Sequence, residues 1–307
     1  MGLRRFLIIL GVVLVLMFTI VAWFYPANTD FLADNPFWNG TSDISSSYST
    51  GTARSLAALP SAPQGVTIVL IPYLEYTPAE LGEISNFVTT GGTLVLADDY
   101  GYGNQVLEYL GLGVRFSGHV LLDPMCNYKS KWFPKISRLV PGSMTSNVDS
   151  LVLNHATCLD YVRDSDVLAV SSSFSFLDLN DNQVWDEEEP TGPLPVISYH
   201  NLGEGKVLLI SDPSIFINSV TGLEDNRAFI DNIAAISTSG LIIDQSHLPP
   251  SNLLQVKSVL GSVRDFFGYP AGAVGLVIVA LVVALRPIWH KRRIAKGKGD
   301  DIDYRTE

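Results

Sequence analysis

The sequence contains few of the residue types and motifs that mark common catalytic sites. It has only 2 cysteines and 5 histidines in 307 residues. It has no G-x-S-x-G elbow, no H-E-x-x-H zinc motif, no Walker loop and no G-x-G-x-x-G after a predicted strand. The cysteines form neither a C-x-x-C pair nor a metal-ligand spacing. The sequence therefore lacks the signatures of serine hydrolases, zinc peptidases and nucleotide-binding proteins.

Positive charge is also scarce over most of the chain. Between residues 26 and 265 there are 27 Asp and Glu against 11 Lys and Arg. A segment this acidic repels phosphate backbones, so we expect no nucleic-acid partner.

Two long uncharged runs indicate that the chain is a membrane protein. Residues 6–24 are long enough to cross a bilayer and end in Trp23 and Phe24, which suit an interfacial position. We expect an uncleaved anchor. The alternative is a cleaved signal peptide, which usually has a shorter apolar core and a small-x-small cleavage site.

The second run, residues 266–285, predicts a second helix that crosses the cell membrane. It is preceded by a predicted juxtamembrane amphipathic helix over 251–265 and followed by a basic tail over 286–307. Basic residues also occupy the N-terminal segment, residues 1–5. The positive-inside rule then places both termini in the cytoplasm and the roughly 240 residues between the spans outside it.

The outer segment predicts an α/β fold. Residues 26–65 form a polar lead-in with a short helix over 52–59. The domain itself, residues 66–250, begins with an apolar strand, a helix with a capping box at Thr77, and a second apolar strand, which is the layout of a parallel βαβ unit. A later hairpin and a final helix–strand pair extend the pattern. We therefore expect a mostly parallel sheet flanked by helices.

Polar residues follow several predicted strands, where ligands bind in open parallel sheets. They could form a pocket for a polyhydroxyl or cationic ligand, or a cation. Ordinary turn and capping chemistry is the alternative interpretation. The candidate ligand-binding residues are Asp98, Asp99, Asp212, Asn218, Asp225, Asn226, Asp244 and His247.

A second acidic segment has the spacing of a calcium loop. Oxygen donors fall at positions 1, 3, 5, 7, 9 and 12, and the predicted ligands are Asp178, Asn180, Asn182, the carbonyl of Val184, Asp186 and Glu189. Gln183 stands at position 6, where calcium loops normally have glycine. A solvated acidic loop is the alternative, and Ca²⁺ is the only cofactor that the sequence suggests.

The two cysteines lie in the segment predicted outside the cytoplasm. Cys126 and Cys158 are 32 residues apart. Because disulfides form in oxidising compartments, we expect a structural bridge between them rather than a redox or zinc site.

Several segments resemble one protein family. They are NPFWNGTS (35–42), the run from IPYLEYTPAE to DDYGYGN (71–104), and GEGKVLLISDPSIFIN (203–218) with the Asp225-Asn226 pair. Together they resemble domain of unknown function 4350, a group of prokaryotic membrane-anchored proteins. The resemblance implies a flavodoxin-like fold, similar to class I glutamine amidotransferases and ThuA-like proteins. Its shared polar positions map to Asp98, Asp99, Asp212, Asn218, Asp225 and Asn226.

These observations favour a non-catalytic, membrane-tethered domain that binds a ligand or a partner protein as an accessory to an envelope or transport complex. The alternative is a divergent hydrolase that uses Asp98, Asp99, Asp212 and His247 as acid and base. A scaffold that links membrane proteins is a third hypothesis, and large exposed apolar patches on the domain would favour it.

Overall fold

The computed structural model describes residues 2–269, apart from Ser49 and Pro250, and nine further residues between 272 and 286. The chain divides into two compact units. One is the segment Pro26–Pro250, and the other contains the chain on either side of it.

Six helices and fourteen strands are defined within the described residues. The helices are α1 (Leu3–Phe24), α2 (Ser42–Tyr48), α3 (Pro78–Thr89), α4 (Asn104–Tyr109), α5 (Asn226–Ile236) and α6 (Asn252–Gly268). The strands are β1 (Gly51–Ala53), β2 (Val66–Leu70), β3 (Thr93–Ala97), β4 (Arg115–Phe116), β5 (Val120–Leu122), β6 (Lys135–Ile136), β7 (Arg138–Leu139), β8 (Leu151–Val152), β9 (Leu159–Asp160), β10 (Val167–Val170), β11 (Phe176–Asp178), β12 (Pro195–Leu202), β13 (Gly205–Ile210) and β14 (Gly240–Asp244).

An eight-stranded sheet forms the centre of the larger unit. Its strand order is β1-β14-β2-β3-β13-β12-β10-β7. The first five strands are parallel, and β12, β10 and β7 add an antiparallel edge. The structure therefore confirms an α/β fold with a mostly parallel sheet. The carboxyl ends of β14, β2, β3 and β13 lie side by side.

Each face of the sheet is covered by its own apolar layer. On one face, Val95 and Ile210 belong to a layer that includes Phe229 of α5 and Ile44 of α2. On the other face, Leu96 and the neighbouring strand residues pack against α3 and α4. Because successive strand residues point to opposite faces, both layers come from the same short strands. All five residues of β2 are buried, as expected for a central parallel strand.

Helix α3 begins where its capping residues predict. The Thr77 side chain accepts a hydrogen bond from the Glu80 backbone N–H, and the Glu80 carboxylate accepts one from the Thr77 N–H. Pro78 occupies the first turn, where its missing N–H costs nothing. This reciprocal cap fixes the start of α3 after a seven-residue connection from β2.

The polar lead-in is more ordered than the sequence indicates. The helix predicted over 52–59 is wrong, because β1 occupies its beginning and only a single 3-10 turn, Leu56–Ala58, follows. Strand β1 adds to the edge of the main sheet. Helix α2 was not predicted, and its Ile44 is buried in the core. The lead-in is thus part of the domain, which extends beyond the predicted 66–250.

The smaller unit contains α1 and α6. Helix α1 has a mean hydropathy of 2.9 and, among the described helices, is the one long and apolar enough to cross a membrane. Helix α6 covers the predicted amphipathic helix and continues into the first residues of the predicted second span. Eight of the twenty residues of that span, and all of the basic tail after residue 286, lie outside the described residues. The Arg264 guanidinium packs over the Trp23 ring, 5.6 Å from its centroid.

Candidate functional site

The strand-end residues separate onto the two faces of the sheet. Asp98 and Asp99 directly follow the last residue of β3, Ala97. Asp98 lies beside Leu96 at Gly103. Asp99 and Asp212 instead lie near Tyr73, which packs on the layer that contains Val95. The strand-end carboxylates therefore lie in more than one group.

Asp98 is a structural cap for the loop that follows β3. Its side chain is 2% exposed. One carboxylate oxygen accepts the Tyr100 N–H at 2.9 Å, and the other accepts the Gly103 N–H at 2.6 Å. Burial raises the pKa of Asp98, although these backbone hydrogen bonds oppose the shift. Both oxygens are occupied by the protein's own backbone.

Asp99 and Asp212 lie together with three tyrosines, and we call this set the tyrosine–aspartate cluster: Tyr73, Asp99, Tyr100, Tyr102 and Asp212. The Tyr73 ring is 6.2 Å from Tyr100 and 6.4 Å from Tyr102, centroid to centroid. Tyr100 is 60% exposed and Tyr102 is 53% exposed. The cluster therefore joins exposed aromatic rings to acidic groups at the carboxyl ends of β2, β3 and β13.

The two carboxyl groups of the cluster hold their protons unusually strongly. Burial raises the pKa of Asp99 to about 8, and the charges of Asp212 and Asp98 add to this. Asp99 is only partly buried, and the one hydrogen bond described for its side chain comes from its own backbone N–H. Burial raises the pKa of Asp212 to about 7. Its oxygens accept hydrogen bonds from the backbone N–H groups of Asn154 and Ser214, and these bonds oppose the increase. Asp99 thus has free hydrogen-bonding capacity.

Asp244 and His247 form a separate buried group on the opposite face. The Nδ1 of His247 lies 2.7 Å from an Asp244 oxygen, and its Nε2 lies 3.5 Å from Glu80. The His247 ring stacks on Tyr76 at 4.0 Å. The Tyr76 hydroxyl is buried and has no hydrogen-bond partner among the described residues. Within the described contacts, nothing joins this group to Asp212.

Asn218, Asp225 and Asn226 bind the protein's own backbone. The Asn218 amide group donates to the carbonyls of Asn35 and Phe37 and to the Ser42 hydroxyl. Its oxygen accepts the Asp43 N–H. Asp225 accepts the N–H groups of residues 149 and 150. Asn226 is fully buried, and its amide bonds to both backbone groups of Val152 and to the Val220 carbonyl. They do not lie in the tyrosine–aspartate cluster.

Sequence reasoning missed a further group beside Asp212. Asn154 donates its backbone N–H to Asp212 at 2.6 Å, and His155 follows directly. The His155 ring stacks on Trp132 at 4.7 Å. His155 also has a positive φ of 57°. No local motif signals this arrangement, because residues 132 and 154 are brought to the sheet edge by the long insertion between β3 and β12.

The predicted calcium donors lie in one acidic loop. Asp186 accepts the side-chain amides of Asn180 and Asn182, while Asp178 and Glu189 accept backbone N–H groups. The oxygen chemistry suits Ca²⁺. However, no three His, Cys, Asp or Glu side chains in the described part of the chain are placed to hold a metal ion. Val184 lines a neighbouring cavity of about 560 Å³ together with Met125, Phe174 and Trp185.

The predicted disulfide is not formed. Cys126 and Cys158 are both free thiols in the structure. Cys126 lies in a turn held by Asp123, whereas the backbone of Cys158 pairs with Ser117. Burial raises the pKa of the Cys158 thiol to about 12, so this thiol is protonated and unreactive.

Comparisons with known proteins give a family and several distant structural matches. The sequence profile of domain of unknown function 4350 matches residues 34–234. The chain belongs to this family. No curated protein matches it. The resemblance drawn from the sequence is therefore confirmed, and the matched region covers both the tyrosine–aspartate cluster and the acidic loop.

Solved structures match over part of the chain. The mmIFT52 N-terminal domain is 18% identical, with a TM-score of 0.43, covering 56% of this chain and 77% of that one. A putative ThuA-like protein from Bacteroides uniformis is 13% identical, with a TM-score of 0.34, covering 61% and 73%. A β-galactosidase from Bacillus circulans sp. alkalophilus is 14% identical, with a TM-score of 0.36. That match covers 55% of this DUF4350 chain and 22% of the enzyme.

Proposed function

We propose that this DUF4350 protein is a membrane-anchored binding protein. Its domain lies outside the cytoplasm and takes a polyhydroxyl or cationic ligand at the tyrosine–aspartate cluster, as an accessory to an envelope or transport complex. Asp99 supports this best, because it is a partly buried carboxyl group with unused hydrogen-bonding capacity beside exposed tyrosines. Tyrosine rings contact the apolar faces of sugars or attract cations.

The divergent hydrolase is less well supported. It would need Asp98 and His247 beside Asp99 and Asp212. Asp98 is committed to its own loop, and His247 is bonded to Asp244 on the other face. A general acid or base must reach the reacting atoms, and the separation of these groups weighs against a shared reaction centre.

The proposal can be tested by calorimetry on the full chain in detergent. The probes are spermidine and a panel of neutral sugars, namely glucose, galactose, mannose, N-acetylglucosamine and their short oligomers. We expect saturable binding of one probe class, weakened about tenfold or more by Asp99→Asn. Asp34→Asn, at an exposed position in the same domain, is the matched control. Absence of binding by all the probes to the unaltered chain would contradict the proposal.

The pH dependence of binding separates the two ligand classes. Ionised Asp99 attracts a cation, so affinity for spermidine should rise as pH increases through about 8. A neutral sugar has no charge to pair with Asp99 and should bind without this increase.

We also propose that the acidic loop between Asp178 and Glu189 binds Ca²⁺. Its donor set is composed of oxygens, which this hard cation prefers. Calorimetry with Ca²⁺ on the full chain should show uptake that Glu189→Gln weakens and Glu188→Gln does not. Lack of any heat at millimolar Ca²⁺ would contradict it.

A further inference from the structure

An open cavity of about 560 Å³ lies beside the acidic loop. Among its walls are four exposed, bulky apolar side chains from three separate loops: Met125, Phe174, Val184 and Trp185. We call this cavity the apolar pocket. Even the least exposed of the four, Trp185, is 50% exposed. Ligand cavities span roughly 300–1,000 Å³, so the apolar pocket has room for bulky groups of another molecule.

One buried carboxylate fixes two walls of the apolar pocket. Asp123 is fully buried. One of its oxygens accepts the Met125 N–H at 3.0 Å, and the other accepts the Ser172 hydroxyl at 2.6 Å. The Ser172 oxygen in turn accepts the Phe174 N–H at 3.0 Å. Because Asp123 binds both segments, these two walls are held in place by hydrogen bonds within the chain itself.

The acidic loop forms the third wall and turns back on Trp185. The Trp185 indole N–H donates to the Glu189 carbonyl at 3.4 Å. The Glu189 N–H donates to the Asp186 carbonyl at 3.0 Å, which closes a tight turn of four residues. Glu187 and Glu188 occupy the centre of this turn. The turn therefore places two acidic residues at the rim of the apolar pocket, beside the indole.

Three carboxylates at this rim have no partner. Asp181, Glu187 and Glu188 are exposed, and their side chains form no hydrogen bond or ion pair within the part of the chain that the structure describes. None of the three is a predicted calcium donor. Lys131 is the one basic residue among the described lining residues, and its ammonium donates to the Gln183 carbonyl at 2.7 Å. Negative charge therefore exceeds positive charge beside the apolar surface.

We propose that the apolar pocket and its acidic rim bind a basic amphipathic segment of a partner protein. Bulky apolar side chains of the partner fill the space between Phe174 and Trp185, and its lysine or arginine side chains pair with the three free carboxylates. Exposed apolar patches mark interaction sites, and complementary charge selects the partner. A tryptophan ring also attracts cations. The inference goes beyond the proposed ligand site, since no described lining residue of the pocket belongs to the tyrosine–aspartate cluster.

The test measures the binding of fluorescent mixtures of short peptides to the full chain in a non-ionic detergent, with the signal of empty micelles subtracted. The first mixture combines Lys and Arg with Leu and Phe. The second replaces its apolar residues with Ser, and the third replaces its basic residues with Glu. We expect the first mixture to bind most tightly, with an affinity that falls as ionic strength rises.

Substitutions in the walls test the apolar contact. Trp185→Ala should weaken binding of the first mixture about tenfold or more, because tryptophans in such pockets often dominate the binding energy. Trp38→Ala, the same change at an exposed tryptophan outside the pocket, is the matched control and should have no effect. Phe174→Ala removes a different wall and should also weaken binding. It provides the readout if thermal unfolding shows that Trp185→Ala is not folded.

Substitutions at the rim test the charge. Asp181→Asn combined with Glu187→Gln should weaken binding of the first mixture about threefold or more at low ionic strength and much less at high ionic strength. Asp34→Asn combined with Glu83→Gln makes the same change in charge at exposed positions away from the pocket. This control pair should bind the mixture like the unaltered chain.

Each alternative outcome would overturn the inference in a recognisable way. Equal affinity in Trp185→Ala and Phe174→Ala would show that peptides bind elsewhere. Equal affinity for the first and third mixtures would exclude a basic partner. Self-association of the chain that Trp185→Ala abolishes would show that a second copy covers the pocket. Absence of peptide binding would overturn this inference alone if a sugar or spermidine still binds, and loss of those ligands alone would overturn only the proposed ligand site.

Discussion

At the scale of single residues, Asp99 makes stability depend on pH. Its pKa of about 8 in the folded protein lies above the ordinary value of 3.8. The folded state therefore holds a proton that the unfolded state has lost between pH 4 and 8. Because the folded state binds more protons in this range, stability falls as pH rises through it and levels off above about 8.

We expect Asp99→Asn to raise the free energy of unfolding at pH 8 by on the order of 2 kcal/mol, discounted for partial exposure. At pH 4 the variant and the unaltered chain should be nearly equal, since both then carry a neutral side chain. Thermal unfolding at the two pH values measures this. A loss of stability at pH 8 would show that Asp99 makes stabilising contacts instead.

Asn226 gives a prediction of the opposite sign. Its buried amide satisfies both backbone groups of Val152 and the carbonyl of Val220. Asn226→Ala leaves these groups buried without partners, which should lower the free energy of unfolding by about 2–4 kcal/mol. Asn232→Ala, on the same helix but less buried, is the control and should cost about 1 kcal/mol. Equal effects of the two changes would contradict this account of Asn226.

The sequence predicted which polar residues follow the strands, but it did not predict which groups their side chains bind. Asp98 and Asp99 follow a strand visibly, and alternation alone could have placed them on opposite faces. Asn218, Asp225 and Asn226 were predicted as ligand contacts because they come after β13 in the sequence, and the family resemblance also includes them. Their partners are backbone groups distant in sequence, such as Val152, and no local pattern reveals such partners.

At the scale of elements, strong periodic signals predicted the fold correctly. Strands β2 and β3 and helix α3 have apolar runs or a capping box, so they were found. Strands β4 to β9 in the insertion have only two or three residues each, so an alternating pattern does not define where each one begins and ends. Strand β1 has the sequence Gly-Thr-Ala, which has no strand pattern of its own. It is a strand because it pairs with β14 at the edge of the sheet.

The acidic loop offers a test of its backbone geometry. Gln183 has a φ of 64°, in the left-handed region, at the position where calcium loops carry glycine. Gln183→Gly should raise the free energy of unfolding by about 0.5–1 kcal/mol, because relief of strain exceeds the entropy that glycine adds to the unfolded chain. Gln183→Ala retains the strain and should give no gain. Chemical denaturation distinguishes the two variants.

At the scale of the whole molecule, membrane attachment depends on two uncharged segments, residues 6–24 and 266–285. Helix α1 agrees with the predicted first span in position and in apolar character. An N-terminal apolar helix is also what a signal sequence would form. The two-span arrangement therefore depends on residues 266–285, which are uncharged in the sequence but only partly described in the structure.

Truncation distinguishes one span from two. If residues 266–285 cross the membrane, a chain lacking residues 1–25 and carrying a replacement signal peptide should still sediment with membranes after alkaline washing. Removal of residues 266–307 from that chain should release it, since the remaining domain has a strongly acidic surface and no long apolar run. Release by the first truncation alone would show that α1 is the sole anchor. The domain would then be held at one end only, and the positive charges of residues 286–298 would no longer indicate a cytoplasmic tail.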